Sequence, residues 1–416
     1  MSGSRLNGGR QASAGRRDPP AASRASPSPL DALSGQRVLL LQGPAGPCFR
    51  RLARFLEQRG ARLTKVNFNA ADDLFFSGPG VIRFRDPFDA WPAFFDRVVR
   101  EHAIDAIVVF GDTRPLHELA ILRSRALGLR AFVLEEGYLR PDFVTVEEGG
   151  VGGRSGIPKD PDFYRSLVPT ELPPPRPVGN TLAPAALYAT LYACAHALGR
   201  ARYPHYRHHR DIRPLRQAAR WVRGGARRVW HGVRDHELDR RLASADFPPF
   251  FLVPLQVHLD AAVRDSDFPD VRDFIATVVE SFARHAPQDC VLVVKDHPLD
   301  RPYRDYRALL TELSAAHRLG ERLRHVDVIH LPTALARARG TVVINSTVGL
   351  SSLFHQTPVK CLGRAVYDMS GLTHQGPLDQ FWTSPGAVDG ELYLRFRYWL
   401  LTNNQINGSV WTELWP

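Results

Sequence analysis

Residues 106–137 read AIVVFGDTRPLHELAILRSRALGLRAFVLEEG. An apolar run ends at Gly111 and Asp112, a helical pattern runs from about Pro115 to Leu127 and is stopped by Gly128, and a second apolar run closes on Glu135, Glu136 and Gly137. This is a strand, helix, strand unit. Upstream, RVLLLQGPAGPCFRRLARFLEQRGARLTKVNF holds another: 38–41 reads as a strand, Phe49, Leu52 and Leu56 recur at helical spacing, and Gly60 stops the helix before the next apolar segment. Such alternation predicts a parallel, doubly wound sheet, in which ligands sit beyond the carboxyl ends of the strands. Those ends carry residues 43–47, 112–117 and 135–137.

The acidic pair at one of these ends has a chemical reading. Two carboxylates forced together raise one another's proton affinity, which suits a base or a nucleophile working near neutral pH. Gly137 permits a turn that a side chain would hinder. The structural alternative is that one Glu caps the next segment or pairs with Arg140 while the other is solvated.

Composition narrows the setting. With 416 residues, 44% of them hydrophobic, the chain exceeds one ordinary core and predicts two domains. Lys and Arg number 54 against 43 Asp and Glu, a net charge of +11, which favours phosphates, nucleotides or anionic membrane surfaces. The cysteines Cys48, Cys194, Cys290 and Cys361 are scattered with no CxxC spacing, so neither a zinc site nor a disulfide framework is indicated, and a reducing cytoplasm fits. No stretch approaches the roughly 18 uninterrupted apolar residues of a spanning helix. Residues 1–34, rich in Gly, Ser, Pro and Arg without an apolar segment, read as a disordered tail rather than a secretory signal.

Residues 170–245 break the α/β rhythm. An Ala-rich helical stretch precedes a segment in which Arg213, Arg216, Arg220, Arg223 and Arg227 recur at alternating spacings of three and four. They would share one helix face, with Trp221 and Trp230 close by. That face is expected either to lie on anionic lipid headgroups or to be an ordinary solvated surface. No nucleic-acid-binding motif accompanies the charge.

Alternation resumes at FPPFFLVPLQVHLD (247–260) and continues through CVLVVKDHP (290–298) to TVVINSTVGLSSLFHQTPVKCLG, a second α/β sheet of similar plan. His297 ends an apolar strand before Pro298, where an imidazole can face a ligand. Ser346 and Thr347 sit between a strand and a helix start, where hydroxyls and free backbone N–H groups can hold a phosphate, or merely cap the helix. Neither GxGxxG after a strand nor GxxxxGK[ST] occurs, and no Asp-x-Asp clamp follows a strand. These features describe a cleft enzyme that uses a nucleotide-linked donor without a metal or other cofactor.

The chain resembles the KpsS-type capsular polysaccharide proteins of Gram-negative bacteria. The resemblance runs from about Arg37 to Val410 and rests on LLLQGPAGPCFRRLARFL, KVNFNAADDLFF, VFGDTRPLH, EEGYLRPDFVTVE, FLVPLQVHLD, KDHPLDR, INSTVGLSSLFHQTPVK, LGRAVYDMSGLTHQGPLDQFW and NNQINGS. It implies a GT-B-like α/β glycosyltransferase with two Rossmann-like parallel-sheet domains. Such an enzyme moves β-linked Kdo (3-deoxy-D-manno-octulosonic acid) from CMP-Kdo to the glycerol of phosphatidylglycerol or its lyso form, which begins the poly-Kdo linker of a capsule. The family is similar to bacterial sialyltransferases with an acidic-acidic-Gly catalytic motif and a His-Pro motif for CMP.

These motifs map onto Glu135, Glu136 and Gly137, and onto His297 and Pro298. The resemblance also implies Lys295, Ser346, Thr347 and Gly349 for CMP. Gly43, Gly46, Asn67, Asn69, Arg114, His117, Arg140 and Gln256 fall to the acceptor and substrate cleft, with Asp112 and His117 as reserve catalytic groups. Donor and product linkages are both β in the family, so a double displacement through a carboxylate adduct is implied, and which Glu attacks stays open.

The implied partners are the nucleotide-sugar donor, an anionic phospholipid acceptor and other capsule synthesis or export proteins. The implied location is the cytoplasmic face of the inner membrane. The expected division is a tail (1–34), a first Rossmann-like domain (35–168), an Arg-rich helical insertion (169–245), a CMP-sugar domain (246–380) and a C-terminal helical segment (381–416). A different CMP- or UDP-activated sugar, or a non-catalytic export factor binding acidic polysaccharide, are the rival readings.

Overall fold

The computed structural model describes residues 28–209, 212–257, 263 and 266–415. Its first sheet is built from β1 (Arg37–Leu40), β2 (Arg62–Asn67), β3 (Val81–Arg83), β4 (Ala106–Phe110), β5 (Arg130–Glu136) and β6 (Phe143–Glu148). Its second contains β7 (Phe250–Pro254), β8 (Val291–Lys295), β9 (Leu323–Val326), β10 (Gly340–Val343) and β11 (Val359–Cys361). The first sheet is then completed by β12 (Gln405–Gly408) and β13 (Leu414–Trp415).

The second sheet is parallel throughout in the order β11-β10-β7-β8-β9. Its strands are nearly all buried on both faces, as helices on either side of a parallel sheet require. The first sheet runs β13-β12-β6-β5-β4-β1-β2-β3. It is parallel from β3 to β5, and β6, β12 and β13 are added antiparallel at one edge.

In both sheets the strand order reverses beside the first strand of the domain, between β1 and β4 and between β7 and β10. The crevice for a ligand opens at such a reversal. The helix Pro115–Ala126 turns His117, Ala120 and Ile121 inward, following the periodicity read from 106–137.

Three expectations are corrected. The segment 381–416 is helical only in Leu378–Phe381 and Gly390–Asn403, and its end forms β12 and β13. β12 covers the open edge of β6, whose unpaired backbone groups would otherwise be exposed. Residues 28–34 are not tail, because Leu30 and Leu33 are fully buried under the first sheet; residues 1–27 lie outside the described residues, as do 258–260 at the end of the stretch 247–260.

The third correction concerns the arginine stripe. Arg213 precedes the long helix Pro214–Ala243 and the other four lie on it, where Arg220, Arg223 and Arg227 turn toward the second domain while Arg216 stays exposed. Arg223 donates to the carbonyl of Pro302, Arg227 donates to that of Arg301 (2.9 Å) and pairs with Asp305 (3.2 Å), and the Arg220 guanidinium lies 5.2 Å from the Tyr303 ring centre. A guanidinium with several N–H donors can satisfy loop carbonyls in this way, so the charge docks the helix.

The domains share a core. Tyr138 and Leu139, just after the acidic pair, together with Ile157 and Tyr164, pack with Leu350, Tyr367, Leu392 and Phe396. Tyr164 meets Phe396 edge to face at 5.1 Å. The reversal into β6 is tight: the Gly137 N–H donates to the Phe143 carbonyl (3.0 Å), and a Cβ on Gly137 would lie 2.2 Å from that oxygen. Gly137→Ala should therefore lower stability by about 3 kcal/mol. Gly156→Ala, where a Cβ meets open space, should be near neutral; equal denaturant midpoints for the two variants would remove the steric argument.

Candidate functional site

β5 carries Glu135 and Glu136 to the crevice edge. The strand is extended through both, with Glu135 opposite Thr145 and Glu136 opposite Val144. Successive side chains on a strand leave from opposite faces, so the two carboxylates are not pressed together, contrary to the expectation of mutual repulsion. Glu136 pairs with Arg140 at 3.1 Å, both half exposed. Glu135 lies against Gly111, where a Cβ would sit 3.2 Å from its carboxylate oxygen, and its charge is felt by the buried Arg114 guanidinium.

Arg114 occupies the reversal between β1 and β4. It donates to the Gln42 side-chain oxygen and to the Gly43 carbonyl, both at 3.1 Å. Burial opposes its charge, which nearby Tyr192, Tyr206, Glu135 and Asp72 support. Gly43 packs on Phe49 and Gly46 under Tyr188.

Asn67 and Asn69 are fully buried. Asn67 donates to Asp73 and to the Phe76 carbonyl, while Asn69 caps the helix Ala70–Phe75 and donates to Asp72 and Tyr192. Their bonds are consumed in the floor of the site, which corrects their expected place on the cleft surface.

The reserve groups are also inward. Asp112 is 4% exposed and accepts the Val151 N–H at 3.1 Å. His117 donates from Nδ1 to the Gly111 carbonyl (2.9 Å), and its Nε2 has no hydrogen-bond partner among the described residues. Burial and the charge of Arg114 push its pKa down to about 3, so the ring is neutral.

In the second domain the carboxyl ends of β8, β7 and β10 lie side by side. The Lys295 ammonium is buried and donates to the Asp296 carbonyl at 3.0 Å; burial pulls its pKa down, and Asp327 opposes the shift. His297 accepts the Leu299 N–H at Nδ1 (3.1 Å), which leaves the proton on Nε2. Burial, followed by the charges of Lys295, Arg140 and Arg301, lowers its pKa to about 4. Pro298 is exposed.

Ser346 accepts the Val348 N–H at its hydroxyl, Thr347 begins the helix Val348–Phe354, and Gly349 packs beneath the Tyr367 hydroxyl. Gln256, expected in the acceptor cleft, instead exchanges two hydrogen bonds with Asn345, donating to its side-chain oxygen (2.9 Å) and accepting its N–H (3.1 Å). It holds the turn that presents Ser346 and Thr347, at the β7–β10 reversal.

Arg140 lies within electrostatic reach of both motifs. It pairs with Glu136 in the first domain, and its charge reaches His297 in the second. Its Nε also donates to the Gly137 carbonyl at 3.2 Å, and an exposed ion pair of this kind contributes little to stability.

Glu147 on β6 was not singled out from the sequence. It lies two residues along β6 from Thr145, the residue opposite Glu135, on the same sheet face, a diagonal of about 7 Å. It is 7% exposed and accepts the Tyr138 hydroxyl (2.6 Å) and the Ser155 hydroxyl. Burial, with the charge of Asp112, raises its pKa to about 7 against the opposing hydrogen bonds. Such a carboxyl can hold or release a proton at neutral pH. The signal was present in FVTVEE, where strand alternation puts Thr145 and Glu147 on one face.

A family model described as capsule polysaccharide biosynthesis protein matches residues 105–411. The chain is 40% identical over 380 residues to the capsule polysaccharide export protein KpsS of Escherichia coli, covering 90% of this chain and 97% of that one. It is 38% identical over 389 residues to the capsule polysaccharide modification protein LipB of Neisseria meningitidis serogroup A, covering 92% and 93%. Among solved structures, the KpsC beta Kdo 2,7 transferase of Thermosulfurimonas dismutans aligns with a TM-score of 0.42 at 14% identity, over 87% of this chain and 89% of that one.

Glu147 gives a pH test. Folded, it keeps its proton to about 7; unfolded, it releases it near the ordinary 4.5. Between those values the folded state binds the extra proton, so stability is lost as pH rises from about 4.5 to about 7 and stays lost above. Ionising the buried group costs about 3 kcal/mol. Relative to wild type, Glu147→Gln should therefore gain stability between pH 5 and pH 8, by up to about 3 kcal/mol. Parallel stability curves for the two proteins would show that Glu147 does not titrate in this window.

Proposed function

The chain belongs to the capsule polysaccharide biosynthesis family, and from that premise we propose that it is a glycosyltransferase moving β-Kdo from CMP-Kdo to the glycerol of phosphatidylglycerol or its lyso form. This begins the poly-Kdo linker on the cytoplasmic face of the inner membrane. The observation that carries the reading is that Arg140 lies within electrostatic reach of both strand-end motifs, pairing with Glu136 while its charge is felt at His297.

In this reading the second domain binds the nucleotide. The neutral His297 donates from Nε2, the Ser346 and Thr347 hydroxyls face the phosphate, and Lys295 supplies positive charge beneath it. Glu135 attacks the anomeric carbon, forming a carboxylate ester as the bond to CMP breaks and its electron pair leaves on the phosphate. The acceptor hydroxyl then displaces the carboxylate and gives its proton to a base. Two inversions return the β configuration. Arg114 sets a positive charge beside Glu135, and Glu136 positions Arg140. The name of the Escherichia coli relative, an export protein, keeps a non-catalytic export role as the second reading.

Purified protein, CMP-Kdo and a fluorescent phosphatidylglycerol analogue should yield a product heavier by Kdo. Glu135→Gln should reduce transfer about a thousandfold or more with CMP affinity little changed, and His297→Ala should weaken CMP binding about tenfold or more by calorimetry. Full transfer by Glu135→Gln and by Glu136→Gln would make the acidic motif structural. An absence of transfer by wild type, with CMP-Kdo unconsumed, would favour the export role.

A further inference from the structure

With Arg220, Arg223 and Arg227 turned toward the second domain, the helix Pro214–Ala243 presents a different face outward. At 100° per residue, the face opposite His231 and Asp235 carries Ala218, Ala219, Val222, Gly225, Ala226, Val229 and Val233. No charged residue interrupts it from 218 to 233. Val222, Val229 and Val233 are 71–78% exposed, and Trp221 and Trp230, on its two edges, are 56% and 69% exposed. Those 16 residues span about 24 Å of helix.

The preceding helix Leu182–Leu198 contacts this one and exposes a second stripe, Leu187, Leu191 and Leu198, at 55%, 41% and 89%. An open groove beside Val229 and Val233 is walled by Gly232 and Val328, with Arg228 and His236 at its rim.

An apolar face this exposed is unusual for a water-facing surface, and its margins indicate what covers it. Tryptophan at the margin of an apolar stripe suits the boundary between headgroups and acyl chains. Arg216 and Arg228 are exposed at its flanks, placing cations where anionic headgroups lie, whereas Arg234 is paired with the buried Asp235 at 2.7 Å. A second copy of the chain is a poorer occupant, since a twofold contact would set these arginine rims against each other. Among the described residues no helix is long and apolar enough to cross a membrane, so the geometry is that of a helix lying in the surface plane.

We propose that the outward face of the helix Pro214–Ala243 is an anionic-membrane docking surface, with Val222, Val229, Trp230 and Val233 seated at the acyl boundary and the flanking arginines on headgroups. The inference deepens the proposed function, because a lipid acceptor is met at such a surface, but it is measured without sugar chemistry. Of the stripe read in the sequence, Arg220, Arg223 and Arg227 hold the helix to the second domain, and Arg216 is the member that flanks the proposed surface.

The test is co-sedimentation of the full chain with vesicles of phosphatidylcholine alone and of phosphatidylcholine mixed with phosphatidylglycerol. Binding is expected to the mixed vesicles, to fall as salt rises, and to be accompanied by a blue shift of tryptophan emission. Val229→Asp with Val233→Asp should weaken it about tenfold or more, while CMP binding by calorimetry stays at the wild-type level and certifies the fold. The conservative pair Val229→Leu with Val233→Leu should bind as wild type does.

Equal vesicle binding by the aspartate variant and wild type, or wild-type binding that ignores phosphatidylglycerol, would overturn the proposal. A dimer seen by analytical ultracentrifugation in wild type and lost in the aspartate variant would overturn it in favour of self-association. Intact vesicle binding with no transfer to a short-chain soluble acceptor would leave the surface standing and count against the transferase alone.

Discussion

The extended backbone of β5 through Glu136 is the constraint on which the site depends. An extended strand sends consecutive side chains to opposite faces, so Glu135 and Glu136 receive different neighbours despite adjacency in the chain. Glu135 joins the face that holds Gly111, Thr145 and Glu147, and Glu136 takes Arg140. The pair is thereby divided into one group inside the crevice and one that reaches across it. A helix would have placed the carboxylates about 100° apart on one flank, and a loop would have left both to solvent.

The segment after Glu136 ties this strand end to the other domain. Gly137 allows the reversal, and Tyr138 and Leu139 then enter the core that contains Leu350, Tyr367 and Phe396. The chain crosses back through the helix Gly390–Asn403 to lay β12 against β6. Two connections and a shared apolar layer therefore fix the acidic strand end relative to the β7–β10 reversal. Tyr138 also donates to Glu147, so the same short segment both seals the joint and holds a buried carboxyl beside the site.

Against the inner side of the long helix, buried charge is handled by pairing. Asp327, 1% exposed, takes the Arg301 guanidinium at 2.7 Å, and Asp235 accepts the N–H groups of Asp327 and Val328 from the long helix. Removing one partner would strand the other, which is costlier than the pair is stabilising. This network and the arginines on the 301–305 carbonyls commit one side of the helix to the protein. The apolar side is what remains for the outside, so the net charge of +11 does not by itself say which face of the helix meets a partner.

The sequence by itself determined the two-sheet α/β plan, because short continuous apolar runs and apolar periods near 3.6, punctuated by Gly60, Gly111 and Gly128, are local properties. It also identified the strand ends that carry Glu135, His297 and Ser346, since a doubly wound sheet puts chemistry at those ends whatever its loops do. What it could not supply depended on contacts distant in the chain. β12 and β13 join the first sheet across more than two hundred residues, and the run QINGS has no strong pattern apart from the edge of β6 that receives it. Gln256 belongs with Asn345, and Asn67 and Asn69 with the floor beneath Tyr192, because hydrogen-bond partners are chosen in space. The raised proton affinity of Glu147 arises from burial, which no local pattern records. The direction of the long helix was decided in the same way: periodicity aligned its arginines on one face, and only the loop carbonyls of the second domain determined that this face would turn inward.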